Sequence, residues 1–424
     1  KFPVSSAIPG FQCSVNIKKK FMQISSNRHY FVVILAGLVS FQVIALLLVF
    51  LAELIPDTLI VDALIEGVDE KWITAEPVKT GLDNKVDRLT ECTAFTMGLG
   101  DRKGSTRLET AISNPNLGSC DRVISSIWAY KTGKELVPVS NYFRYWHGYT
   151  VITRPSLALF GVAGTRMIAL AIVAFAFIGF LRLLSRDTDF TAVTLLSIPI
   201  VLSTDFVDLA ESTTHAIAFG TLMLSMAMAW KLICARPTLL SMFAGGVIAG
   251  CFCTYFDLMV FFPGSLAMVT TLSLVKAHMI GWRKLELFIA AVAAGAGWII
   301  GFTFTWGSKW LLAMATLGSE NVYNTVKTQI AFRLQGEYVS VYPEMGTAIG
   351  RNLIHWLDRP LGAVVVFAAL CAIAVMVFKG LRSKNLQLST SIILLSPMLI
   401  PLVWFEVLSN HSQIHFSITY KSLG

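Results

Sequence analysis

The chain has 424 residues, 55% of them hydrophobic and 14% charged, and its mean hydropathy is +0.66. A soluble domain carries about a quarter charged residues, so a single soluble globule is excluded. The net charge of +8 does not point to nucleic acid. The basic residues sit in short clusters between apolar stretches, where the positive-inside rule puts them.

Those stretches reach the roughly 20 residues needed to cross a bilayer core. Inside lipid they must be helices, because no water is there to satisfy the backbone. The first span, 31–54, follows Lys18, Lys19, Lys20 and Arg28, which places the N-terminus in the cytoplasm. It is too long for the apolar core of a signal peptide. Further spans are expected at 156–181, 190–203, 215–230, 239–275 (two, broken around Asp257 and Pro263), 285–305, 361–378 and 388–408. The fold class expected is therefore an all-α polytopic membrane protein with about nine transmembrane helices. Alternating the sides puts the exit clusters Arg182/Arg186, Lys231/Arg236, Lys276/Arg283/Lys284 and Lys379/Arg382/Lys384 all in the cytoplasm.

The chain then divides into a cytoplasmic segment 1–30, a membrane module 31–305 that includes a first outer loop (55–154), a second outer loop 306–360, and C-terminal helices with an outer tail, 361–424. Both long loops fall on the outer side. Cys92 and Cys120 are the only cysteines of the first loop, and an oxidising compartment favours a disulfide between them. Cys13, Cys234, Cys251, Cys253 and Cys371 lie at the inner face or within spans and read as small apolar residues.

The first loop opens with Asp57, Asp62, Glu66, Asp69 and Glu70, then Asp83, Asp87 and Glu91. Asp62, Glu66, Asp69 and Glu70 fit the solvated face of an amphipathic helix. Asp57 differs, because it follows Pro56 at the mouth of the first span. Asp87 and Glu91 are four apart and share a helix face. Such a pair supplies one general base and one orienting group, or merely pairs with Arg88 or Arg122. Gly98 to Cys120 reads as turns, and its lysine spacing is wrong for a P-loop. The loop closes on Tyr142, Tyr145, Trp146 and Tyr149 with Arg144, His147 and Arg154 among them. An interfacial aromatic belt explains the rings but not the charges. Aromatic faces beside charged hydrogen-bonding groups suit a sugar, and arginine suits phosphate.

Ionisable residues near the membrane are functional candidates by default. Asp205, Asp208, Glu211 and His215 share one short outer connection, and Asp257 marks another. A polar interfacial turn is the alternative for each. His411 and His415 in the tail have the spacing of a metal pair, but no glutamate lies between them, and no zinc is expected. The second loop interleaves Lys309, Arg333, Arg351 and Arg359 with Trp306, Trp310, Tyr323 and Trp356. An amphipathic helix at 322–333 is expected on the membrane surface, and the arginines of this loop are candidates to face an anionic lipid head group.

A first span, a long acidic outer loop, six further spans and a second long outer loop rich in arginine and aromatics: this order resembles the GT-C superfamily of integral-membrane glycosyltransferases. The resemblance is architectural and covers nearly the whole chain. It implies transfer of a sugar from a polyprenyl-phosphate or pyrophosphate donor to a hydroxyl acceptor (glycan, lipid or protein), on the outer face of a bacterial cytoplasmic membrane or in an equivalent lumen. It implies a first-loop carboxylate as base, drawn from Asp57, Asp87 or Glu91, and phosphate ligands drawn from Arg144, Arg154, Arg333, Arg351 and Arg359. His147, Asp257, His411 and His415 complete the expected substrate site. A divalent cation is the one cofactor the resemblance allows. The bilayer, the lipid-linked donor and the acceptor are the expected partners. The chain lacks the paired acidic residues that better-known members carry directly after the first span. A polysaccharide polymerase or ligase is equally outward-facing and lipid-dependent. A lipid-linked-glycan flippase predicts repeated halves and mid-membrane charges, and the sequence has no internal repeat.

Overall fold

The computed structural model describes residues 28–75, 88–100, 104–188, 190, 193–194, 197, 200–201, 212–335, 346–358, 363–364, 367–368, 371 and 388–423. Six helices among them are long and apolar enough to cross a membrane: Phe31–Glu53, Thr150–Leu184, Thr213–Ala235, Leu239–Phe256, Lys284–Leu317 and Ser389–Val407. The protein is an all-α integral membrane protein. The spans expected at 190–203 and 361–378 fall largely outside the described residues. The one expected to follow Pro263 is an 18-residue helix, Phe262–Met279, with Lys276 and His278 in its last turn.

In chain order, α1 is Arg28–Glu53, and the first loop folds as α2 (Asp57–Asp69), α3 (Arg88–Phe95), α4 (Arg107–Ser113) and α5 (Cys120–Lys131). A short antiparallel ribbon joins β1 (Pro115–Asn116) to β2 (Ser140–Asn141), with Pro115 opposite Asn141. The bundle continues as α6 (Thr150–Leu184), α7 (Thr213–Ala235), α8 (Leu239–Phe256), α9 (Phe262–Met279) and α10 (Lys284–Leu317). Then come α11 (Ser319–Gln335), α12 (Thr347–Leu357), α13 (Leu388–Leu395), α14 (Leu399–Val407), α15 (Ser409–Ile414) and α16 (Phe416–Thr419). The helix expected to end at 305 runs on to Leu317, because nothing breaks it before Gly318, whose φ is +88°. Trp306, Lys309 and Trp310 therefore stand on a helix rather than in the second loop.

The first loop is a small folded body. On α2, Ile60, Val61, Ala63, Leu64 and Gly67 are buried while Asp62, Glu66 and Asp69 are exposed. That is the alternation an amphipathic helix requires. Its core adds Phe95, Leu99, Leu117, Val123 and Ile127. The Cys92–Cys120 disulfide ties α3 to the first residue of α5.

In the bundle, α8 and α10 approach most closely. Gly246 and Gly250 on α8 face the backbone of Ala294 and Trp298, and Gly297 and Gly301 on α10 face the backbone of Phe243 and Val247. Both pairs are four residues apart, so each lines one face of its helix. A Cβ at any of the four collides with main chain. In lipid, where apolar burial alone does not bring helices together, small residues let backbones pack.

Two buried cations fasten the first loop to this bundle. Arg154, on the second turn of α6, is fully buried. It donates to the carbonyls of Ala52 (3.0 Å), Met97 (2.9 Å) and Ile55 (3.3 Å) and to Asp57 Oδ1 (2.9 Å). Glu53, also fully buried, lies 3.6 Å away. Lys309, on α10, donates to Ala111 O (3.2 Å), Ile112 O (2.8 Å) and Asn114 Oδ1 (2.6 Å). Asn114 meets it from a left-handed conformation, φ 51°.

Gly297→Ala is expected to lower stability by about 1–3 kcal/mol, as overpacking does. Gly37→Ala, with open space around it, is expected to be neutral or slightly stabilising, and thermal unfolding in detergent separates the two. Arg154→Met is expected to cost about 3–5 kcal/mol, because it removes the buried cation that faces the Glu53 and Asp57 carboxylates. An unchanged unfolding midpoint for Arg154→Met is the contrary outcome.

Candidate functional site

The ends of α1, α8 and α10 and the starts of α6, α7 and α9 meet at one end of the bundle. The first loop, α11 and the C-terminal tail cover that end. Between them lies a cavity of about 250 Å³. One wall comes from the first loop: Thr90 and Thr93 of α3, Asn116 and Ser140 of the ribbon, and Tyr142, Arg144 and Tyr145. A second wall is the α8–α9 turn, Leu258 to Val260, with His215 from the first turn of α7. The third is Arg333 of α11 with His411, His415 and Thr419 of the tail.

Arg333 bridges two of these walls. It donates through Nη2 to Tyr145 Oη (2.6 Å) and lies 3.1 Å from His411 Nδ1 through Nη1. Burial, with Arg333 and His415 beside it, holds the His411 imidazole well below its usual pKa. His411 is therefore neutral, and its Nδ1 accepts a hydrogen bond from the Arg333 guanidinium. The His411 and His415 rings are 4.8 Å apart. Arg144 lies over the Tyr142 ring at 4.7 Å. Its carbonyl accepts from the indoles of Trp306 (2.6 Å) and Trp310 (3.2 Å), which moor it to α10.

His147 sits behind this wall rather than in it. It is buried, with φ 56°, and its ring contacts Tyr149 Oη (2.7 Å) and Tyr142 O (2.6 Å). Burial pushes its pKa down to about 3, so it is a neutral strut for the aromatic wall. Asp257 heads the α8–α9 turn. Its Oδ2 accepts from Phe261 N (2.7 Å), and its Oδ1 has no hydrogen-bond partner among the described residues. Burial raises its pKa from 3.8 to about 7.

Of the residues singled out in the sequence, the fold brings Arg144, Arg333, His411 and His415 to one cavity, with His147 and Asp257 against its walls. Others go elsewhere. Arg154 does not line the cavity, and its donors are spent on Ala52, Ile55, Met97 and Asp57. Asp57 bonds to Arg154 and Arg107 at the first-loop hub. Glu91, on α3, is buried, held by Arg166 on both oxygens (3.1 and 2.8 Å) and by Thr213 Oγ1 (2.8 Å). Arg351 is exposed on α12, away from the cavity lining. Asp87, Arg359, Asp205, Asp208 and Glu211 lie outside the described residues. Among the described residues, no three histidine, cysteine or carboxylate side chains gather as metal ligands.

Sequence reasoning missed Glu53, Arg166 and the packing role of Lys309. Each is a charge inside an apolar stretch, which is the signal that marks an intramembrane ionisable group. His215 lines the cavity together with His411 and His415 of the tail, a grouping its acidic neighbours in the sequence do not signal. No known family, curated protein or solved structure matches this chain. What the fold and the site define is an all-α integral membrane protein with an arginine-bearing cavity at an end of its helical bundle.

Because Asp257 has a higher pKa folded than unfolded, the native state binds the extra proton between about pH 4 and pH 7. Stability from this group is therefore greatest at the acid end, falls as pH rises through that window, and levels off above it. Asp257→Asn is expected to flatten the slope, measured as the unfolding midpoint across the same range. An identical slope in wild type and variant contradicts the assignment.

Proposed function

We propose that the protein is a membrane glycosyltransferase, similar to the GT-C superfamily, that moves a sugar from a polyprenyl-phosphate or pyrophosphate donor to a hydroxyl acceptor on the outer face of the membrane. The observation that carries this reading is the convergence of Arg144 and Arg333, from two distant loops, on one cavity beside Tyr142 and Tyr145. Two arginines and aromatic rings at the end of an apolar bundle suit a phosphate whose hydrocarbon tail stays in lipid. Nucleotide sugars are cytoplasmic, so an outward-facing transferase needs a lipid-carried donor.

The chemistry asked of the site is short. A carboxylate takes the acceptor's proton as its oxygen attacks the anomeric carbon. The bond to the lipid phosphate breaks, and the arginines stabilise the charge that grows on the leaving oxygen. Among the described carboxylates, Asp257 fits the base better than Asp57 or Glu91. Those two are engaged by arginines, whereas Asp257, directly behind the lining residues Leu258 to Val260 rather than in the lining itself, has an oxygen with no partner among the described residues and a pKa of about 7, close to working pH. The neutral His411 imidazole beside Arg333 leaves the positive charge on the arginine.

The reading is tested by transfer from a defined polyprenyl-phosphate sugar, using the purified full chain in lipid. Arg333→Ala and Arg144→Ala are each expected to lower kcat/KM by about 100-fold or more, the scale for losing a charge-stabilising donor. Asp257→Asn is expected to lower kcat more than Asp57→Asn, Asp87→Asn or Glu91→Gln. If no lipid-linked sugar is consumed by the wild type, the class is wrong. Full activity in Asp257→Asn moves the base to another carboxylate.

A further inference from the structure

Arg333 is held by a hydroxyl that is itself held by a sulfur. Tyr145 Oη lies 3.2 Å from Met259 Sδ and accepts from Arg333 Nη2 at 2.6 Å. A thioether has no proton to give and can only accept. The phenol proton therefore points at the sulfur, and the oxygen's lone pairs are left for the guanidinium. Burial holds the Tyr145 phenol protonated, so the donor is present. Tyr145 is itself fixed, with its ring stacked on Trp306 at 5.9 Å and edge-on to Tyr142 at 5.6 Å.

Met259 reaches this position at a conformational cost. Its φ is +72°, in the left-handed region that a side chain with a Cβ seldom adopts. The surrounding structure imposes it from both sides. Asp257 Oδ2 accepts from Phe261 N (2.7 Å), and Ser422 Oγ donates to Val260 O (2.7 Å). Strain of this kind persists where the surroundings over-determine it, and it concentrates at functional sites. Met259 is buried and lines the cavity.

We propose that Met259 and Tyr145 are positioning residues that orient the Arg333 guanidinium toward a phosphate bound in the cavity. This rests on the cavity being a phosphate site, as read above. The Met259–Tyr145 bond sets the hydroxyl's polarity, the hydroxyl fixes one arm of Arg333, and neutral His411 fixes the other. The guanidinium keeps Nε and its outer N–H groups for the ligand, in the fork geometry that matches phosphate oxygens. A methionine that merely fills space is replaced by leucine at little cost. One that serves as an acceptor is not.

The test uses the purified full chain in lipid, with farnesyl phosphate as the probe. Met259→Leu is expected to weaken its binding by about 2- to 10-fold, the range one hydrogen bond spans. Tyr145→Phe should weaken it at least as much. The double variant should bind no more weakly than Tyr145→Phe alone, because Met259 acts through Tyr145. Unaltered affinity in Met259→Leu, or losses that multiply in the double variant, overturns the proposal. A second readout needs no ligand. The tyrosine Raman doublet, taken as wild type minus Tyr145→Phe, reports whether this hydroxyl donates. It should lose its donor character in Met259→Leu, and an unchanged spectrum overturns the relay. Failure of the wild type to bind farnesyl phosphate sinks the phosphate reading instead, while the spectrum still decides whether Met259 and Tyr145 orient Arg333. Unfolding midpoints confirm that both variants are folded.

Discussion

A buried guanidinium is the constraint on which the covered end of this protein depends. Arg154 is fully buried, and a cation there is tolerated only if it is surrounded by acceptors. Five groups answer it: the carbonyls of Ala52, Ile55 and Met97, and the carboxylates of Asp57 and Glu53. They come from the end of α1, the turn after it, the start of α2 and the segment that follows α3. Satisfying one charge therefore fixes where the first loop sits on the bundle. Gly98 shares the constraint, since its φ is +87° and any Cβ there meets the Glu53 carboxylate. Lys309 repeats the device from the other side of the loop, with α10 in place of α6.

With the loop fixed, the cavity follows. The ribbon and α3 present hydroxyl and amide groups, and the segment after β2 presents Tyr142, Arg144 and Tyr145. The indole bonds from Trp306 and Trp310 hold the Arg144 backbone, so its side chain is free to lie over Tyr142. Histidines on either side stay neutral, by burial for His147 and by burial with Arg333 alongside for His411. The two arginines bring positive charge to the cavity, and His411 beside Arg333 adds none, which favours an anion there.

Much of the architecture was legible in the chain. The apolar stretches and their lengths announce helices in a membrane, and the alternation along Asp57–Asp69 announces a helix with one wet face. The pair Cys92 and Cys120 announced its disulfide because nothing else in that loop competes for either thiol. The extent of α10 was not legible. Trp306, Lys309 and Trp310 look like loop residues by polarity, yet no breaker precedes Gly318, and buried partners satisfy Lys309 and both indole nitrogens. Local composition cannot report a partner 195 residues away, as Asn114 is from Lys309.

The candidate residues divide along the same line. By itself the sequence determined which side chains have the chemistry to matter, because arginines among aromatics and carboxylates at the edge of apolar spans are costly and therefore informative. It also determined that Arg144, Arg333, His411 and His415 belong to loops and tail rather than to the lipid-facing helices. Only the tertiary structure decided how those charges are used. Arg154 and Arg144 stand ten residues apart in similar surroundings in the chain, yet one is enclosed by five oxygen groups and the other lines a cavity. Glu91 and Asp257 are both buried carboxylates, yet one is neutralised by Arg166 and the other faces no cation in hydrogen-bond range. The difference is physical: a charge's role depends on the dielectric and the partners around it, and those are set by contacts between segments far apart in the chain.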